Sequence, residues 1–196
     1  MREHVASVEV TLPPWVEDYT RDITCIPALE DRMRFVIEAA RTNVLKQTGG
    51  PFAAAIFERD TGKLVALGVN RVTTDHSSIL HAEMVAFLFA QKSRGHYDLG
   101  ADGNPAHELV TSTEPCAMCF GAIPWSGVRR VVTAARDEDA RAIGFDEGPK
   151  PASWQSALAE RGIDAVPDVL REEAAGVLRL YFEQGGHLYN SRESDT

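Results

Sequence analysis

The sequence predicts an α/β domain whose sheet is covered by helices on both faces, and three observations carry this. Short apolar runs suited to strands fall at 52–57, 64–69, 107–113, 130–135 and 163–166. Helix-like segments lie between and around them, at 30–47, 81–91, 120–127, 137–143, 154–161 and 168–183. The first two strand runs lack the polar alternation of a sheet with one wet face, so both faces are expected to be buried.

Residues 1–26 show no sustained periodicity, and Pro13-Pro14-Trp15 predicts an extended, irregular path. We expect an N-terminal arm lying on the domain or on a partner subunit, anchored by Trp15, with the domain proper over 27–184. From 30 to 47, Met33, Val36, Ile37, Ala40 and Val44 fall mainly on one helical face, and Gly49-Gly50-Pro51 ends the run. Asp60-Thr61-Gly62-Lys63 reads as the turn of a hairpin between the first two strands. The polar loop 72–80 then leads to His81. The segment 81–91 is apolar nearly all the way round, which predicts a buried helix. A carboxylate there, Glu83, is costly unless it is paired or functional. After the third strand the chain reaches Pro115, and a short helix containing Trp125 precedes the fourth. The loop 145–149 carries two carboxylates, Asp146 and Glu147. Leu170, Ala174, Val177, Leu178 and Tyr181 give the last helix its apolar face, and Gly185-Gly186 stops it ahead of a tail at 185–196.

The net charge is -9, from 29 acidic against 20 basic residues. Proteins that hold polynucleotides neutralise phosphates with Lys and Arg, so this balance argues against a long nucleic-acid substrate. No apolar run approaches the ~18 residues of a membrane span, and the first residues lack the hydrophobic stretch of a secretory signal. A cytoplasmic location is the expectation. Of three cysteines, two belong to a motif, which leaves Cys25 as an expected small buried apolar residue and argues against a disulfide framework.

The chemistry is concentrated in His81-Ala82-Glu83 and Pro115-Cys116-Ala117-Met118-Cys119. Together they supply one imidazole, two thiols and one acid/base group. A closed structural zinc site needs four protein ligands, whereas a catalytic one keeps a position open. Cys116 and Cys119, three apart, can reach one ion from the first turn of a helix, with Pro115 suited to its first position. Residues two apart on a helix diverge, so His81 is expected just ahead of its helix, where the backbone is not yet helical. A redox pair or half of a structural zinc site is the alternative for the cysteines taken alone. A purely structural module would have no use for Glu83.

On these motifs, and on Gly50-Pro51-Phe52, Val69-Asn70-Arg71, Trp125-Ser126-Gly127 and Gly144-Phe145-Asp146-Glu147-Gly148-Pro149, the chain resembles the cytidine-deaminase superfamily and, within it, the bacterial guanine deaminases, some of which also accept ammeline. The resemblance implies a three-layer α/β/α sandwich around a five-stranded mixed sheet. It implies zinc on His81, Cys116 and Cys119, with Glu83 moving the proton, and hydrolysis of guanine to xanthine and ammonia. Asn70 would hydrogen-bond the base, Phe52 and Trp125 would wall the pocket, and Glu147 would assist at the reacting edge. Ala82 and Asp146, inside the same motifs, would also contact substrate. Family members are usually homodimers whose tail closes over a pocket, which would make Tyr189 a lid. Other small rings, namely ammeline, guanosine or a pyrimidine, are the runner-up substrates. A tRNA adenosine deaminase shares the zinc motifs, but the acidic balance and the Phe-Asp-Glu-Gly loop count against it.

Overall fold

The computed structural model describes residues 5–190, so the outermost segments of the expected arm and tail, 1–4 and 191–196, lie outside the described residues. The strands are β1 Ala53–Glu58, β2 Leu64–Val69, β3 His107–Thr113, β4 Arg130–Ala135 and β5 Asp164–Val166. The helices are α1 Pro14–Thr20, α2 Leu29–Leu45, α3 Ala82–Arg94, α4 Ala117–Ser126, α5 Asp137–Ala142, α6 Trp154–Ala159 and α7 Arg171–Glu183. The sheet runs β2-β1-β3-β4-β5. β1 is antiparallel to both neighbours, while β3, β4 and β5 are parallel.

Every residue of β1 is buried. Successive side chains on a strand point to opposite faces, and both faces here are dry. Ala53, Ala55 and Phe57 enter a core shared with α2, α5 and α7, whereas Ala54 and Ile56 enter one shared with α3, α4 and α6. Those are the two outer layers of a three-layer sandwich. Gly68 on β2 lets α3 approach very closely: a β-carbon there would lie 2.3 Å from the Ala82 carbonyl oxygen and 2.4 Å from the Ala86 nitrogen. The start of α3, which carries Glu83, is thereby pressed onto the sheet.

Strand direction decides where the chemistry collects. Because β1 runs against β2 and β3, the start of β1 and the ends of β2, β3 and β4 share one edge of the sandwich. Phe52 precedes β1, Asn70 follows β2, and Glu114-Pro115 follows β3. At the opposite end of β3, fully buried Glu108 is held by Arg32 and by the Arg130 Nε, 2.5 Å from its Oε2. A carboxylate buried with two guanidinium partners is satisfied, and removing either side would leave a bare charge in the core.

Two expectations are corrected. The stretch read as irregular contains a helix, α1, with Pro14 at its first position, where a missing N–H costs nothing. Trp15 packs on the α2/α7 core and donates from Nε1 to Thr48 Oγ1 at 3.0 Å, and Tyr19 stacks on Phe35. Cys25 is exposed, not buried. It forms a bridge with Lys63 beside the hairpin turn and sits 2.9 Å from the Thr61 carbonyl oxygen, outside both apolar cores.

Candidate active site

His81 is the residue before α3, with φ −65° and ψ 155°, so its extended backbone turns the ring away from the helix axis while Glu83 sits in the first turn. Cys116 holds the same position before α4, with φ −63° and ψ 173°. Pro115 therefore lies ahead of the cap and not at the first helical position. The reason is visible at Ala117, whose N–H donates to the Glu147 carbonyl at 2.9 Å, a bond proline could not make. Cys119 follows three residues later on the buried face.

The ligand atoms of His81, Cys116 and Cys119 lie within 4.8 Å of one another. His81 Nδ1 is 3.5 Å from the Cys116 sulfur, and both thiols are free. One imidazole and two sulfurs converging on one point match a zinc donor set, with Zn–N near ~2.0 Å and Zn–S near ~2.3 Å. Glu83 is not a member of that set. Its Oε2 lies 3.4 Å from the Cys119 sulfur.

The electrostatics of the pocket are strained in a way a dication would relieve. The hydrogen bond from Cys119 holds the Cys116 thiol near pKa about 4, with His81 assisting against burial. Cys119 is pushed well above its ordinary value by the Cys116 thiolate and by burial. Burial lowers the His81 pKa, but Cys116, Glu83 and Glu147 outweigh it and the net shift is upward. Burial and then the Cys116 thiolate raise Glu83, while His81 opposes them. Glu147 rises to about 8 through burial, reinforced by Cys116, Glu83 and Asp137 and opposed by Lys150. A bound cation keeps both sulfurs as thiolates and cancels much of their repulsion on the carboxyls.

The cavity around these groups is about 180 Å³, below the ~300–1,000 Å³ of drug-sized sites. Phe52, Asn70, Ala82, Glu83, Glu147 and Tyr189 all line it. Asn70 uses its Oδ1 to accept from Gly50 N and Val72 N, each at 3.3 Å, and its Nδ2 is buried without a partner. The carboxamide thus caps a turn with one end and leaves a donor at the other. Tyr189 stands over His81, ring centroids 6.3 Å apart, and against Phe145 at 5.0 Å. Asp146 reaches the rim, but its Oδ1 accepts from Gly148 N at 2.9 Å and its side chain is mostly exposed. It shapes the Glu147 loop. Lys150 ties the same loop to the Pro115 carbonyl at 3.0 Å and to Glu114 at 3.2 Å.

Trp125, expected as a pocket wall, does not reach the cavity of its own chain. It is 83% exposed and outside the cavity. On α4 the buried positions are Cys119, Ile123 and Ser126, and helical periodicity turns Trp125 to the other side with Met118 and Gly121. Sequence reasoning missed Ser78, Thr113, Glu114, Phe145 and Asn190 as lining residues. Thr113 and Glu114 had a signal, since they end a strand immediately before the metal motif. Asn190 had none.

Fold and site together define a three-ligand metal centre of the nucleobase-deaminase kind. The family model for the cytidine and deoxycytidylate deaminase zinc-binding region matches residues 27–135, and the chain belongs to that family. A solved guanine deaminase from Nitrosomonas europaea is 47% identical, with a TM-score of 0.88, covering 92% of this chain and 99% of that one. The protein NE0047, solved in complex with 2,6-diaminopurine, is 49% identical with a TM-score of 0.88, covering 94% and 97%. The guanine deaminase of Bacillus subtilis (strain 168) is 42% identical over 99 residues, a match spanning 50% of this chain and 59% of that protein.

Proposed function

We propose that this protein is a zinc-dependent aminohydrolase that converts free guanine to xanthine and ammonia, acting in the cytoplasm as a homodimer. The observation that carries the reading is a buried carboxylate, Glu83, set beside an incompletely ligated three-residue metal cluster in the lining of a small cavity. Bound by His81, Cys116 and Cys119, zinc would supply Lewis-acid activation of a water at neutral pH.

The remaining steps belong to the chain. Glu83 accepts one proton of the attacking water and passes it to a ring nitrogen; it then takes the proton of the newly added hydroxyl and gives that one to the departing amine. Overall one C–O bond forms, one C–N bond breaks, and water is consumed. Asn70 can only donate into the cavity, so it selects a ring that presents an acceptor there. Burial keeps Glu147 able to hold a proton near neutrality, which suits a group that both donates to and accepts from the reacting edge. Phe52, Phe145 and Tyr189 exclude water. The small cavity and the acidic balance favour a free base over RNA, although a tRNA-specific adenosine deaminase of Bacillus subtilis (strain 168) is also 33% identical over 124 residues.

Assembly as a dimer is supported by α4, whose residues are apolar nearly all round while Met118 and Trp125 stay exposed in the single chain. Two of the three cysteines belong to the metal cluster, so the chain has no need of an oxidising compartment. Among the described residues no helix is long and apolar enough to cross a membrane.

Ammonia release from guanine, ammeline, guanosine and cytosine, measured with the zinc content, tests the reading. Guanine should be fastest with one zinc per chain, and Glu83→Gln should keep the metal while turnover falls by roughly 10²-fold or more. Faster release from cytosine or guanosine would displace guanine, and near-normal turnover in Glu83→Gln would remove that residue from the reaction.

A further inference from the structure

Asn70 is where the proposed base meets the sheet edge, and its placement depends on residues that touch nothing in the cavity. Asn43 on α2 is completely buried. Its Nδ2 donates to the Gly50 carbonyl at 2.9 Å and to the Asn70 carbonyl at 3.0 Å. Its Oδ1 accepts from Thr48 Oγ1 at 2.7 Å, and Thr48 Oγ1 in turn accepts from Trp15 Nε1 at 3.0 Å.

The chemistry gives this chain of bonds one direction. An indole N–H is only a donor, so the Thr48 oxygen must accept from Trp15 and spend its own hydrogen on Asn43. That assigns the oxygen end of the Asn43 carboxamide and leaves its NH₂ facing two carbonyls, each of which can only accept. The Gly50 carbonyl held there belongs to the residue whose N–H donates to Asn70 Oδ1. Asn43 therefore grips both backbone segments that decide where the free Asn70 Nδ2 points. There is little slack, since a β-carbon on Gly49 would fall 1.8 Å from the Asn70 carbonyl oxygen and 2.8 Å from Asn43 Nδ2.

We propose that Asn43 is a positioning residue for substrate binding, and that the N-terminal helix α1 belongs to the site's framework through Trp15 and Thr48. The inference rests on the reading of Asn70 as the group that binds the base. It gives the N-terminal segment a task beyond covering the core. A buried network whose members are all satisfied holds one geometry, and loosening one link shifts the others.

Steady-state kinetics on guanine, with zinc content and Tm, test it in two backgrounds. Thr48→Val keeps the shape and deletes the hydroxyl; Trp15→Phe keeps an aromatic ring and deletes the N–H. In the otherwise native protein Thr48→Val should raise KM by ~10-fold, about the worth of one well-placed hydrogen bond, with kcat within about twofold and zinc unchanged. Trp15→Phe should raise KM in the same sense by a smaller factor. In the Asn70→Ala background neither change should move KM by more than about twofold, because coupled residues are not additive. Equal effects in both backgrounds, or a loss confined to kcat and Tm, would reduce the network to a structural role and overturn the proposal. An unchanged KM in Thr48→Val would overturn it while leaving Asn70 intact. An unchanged KM in Asn70→Ala alone would fell the reading of Asn70 and this inference together.

Discussion

Glu83 and Glu147 reach the cavity from separate elements, one from the first turn of α3 and the other from the loop after α5, and burial raises the pKa of each. Carboxyls held that way exchange protons with a bound ring more readily than they form ion pairs. Asp146, adjacent in sequence, is exposed and committed to its own loop, so adjacency alone assigns no chemistry. A titratable group far from the site contributes to acid stability. His107 is fully buried, is 2.8 Å from the Leu99 carbonyl through Nδ1, and has its pKa lowered mainly by burial. The unfolded chain takes up a proton near pH ~6.5 while the folded one resists it until lower pH, so this group's stability is present above ~6.5 and is lost as the pH falls below that. Denaturant unfolding at pH 7.5 and 5.5 should show wild type losing stability that His107→Gln does not lose; parallel losses would clear His107. Glu83 was legible in the sequence because a carboxylate in an otherwise apolar helix is conspicuous. Trp125 does not line the cavity of its own chain; motif proximity says nothing about which side of a helix a residue occupies. Cys25 was misread because hydrophobic character does not ensure that a segment has a core to enter.

At the scale of elements, the tail after α7 has a seat cut for it in two loops. Gly144, at φ 105°, leaves room for Leu188, whose Cδ1 would lie 2.7 Å from a β-carbon there. Asn190 donates to the Gly144 carbonyl at 2.8 Å and accepts from Asp146 N at 2.9 Å. Gly50 does not have a positive φ, so its need to be glycine is spatial: a β-carbon would meet Tyr189 Oη at 2.8 Å and Cε1 at 3.0 Å. Gly50→Ala should displace the Tyr189 ring, leave zinc in place and raise the KM for guanine by about tenfold, the scale of overpacking a tight contact. An unchanged KM would mean that the tail does not close the site during turnover. The amphipathic pattern revealed α2 and α7, and the all-apolar pattern revealed α3. The seven-residue α1 escaped because it is too short to display a period and begins at a proline usually read as a breaker.

At the scale of the molecule, strand positions were legible from apolar runs, but strand order and direction were not, since periodicity carries no information on partners. The mixed sheet came from family likeness, and the structure has it. The outer surface of α4 leaves Met118 and Trp125 exposed in the single chain. For the proposed homodimer, Trp125→Glu should shift sedimentation toward monomer by placing a charge on this apolar surface; an unchanged mass would remove α4 from the proposed interface. The arrangement of β3 between β1 and β4 also bears on when the protein acquires its ion. His81 follows the β1–β2 hairpin, a local structure, whereas the two sulfurs lie beyond β3, which pairs with β1 across some fifty intervening residues. A nascent polypeptide that has left the ribosome only as far as Thr113 owns an imidazole with no thiolates beside it. The complete three-ligand set therefore exists only once synthesis has passed Cys119, beyond the central strand of the sheet.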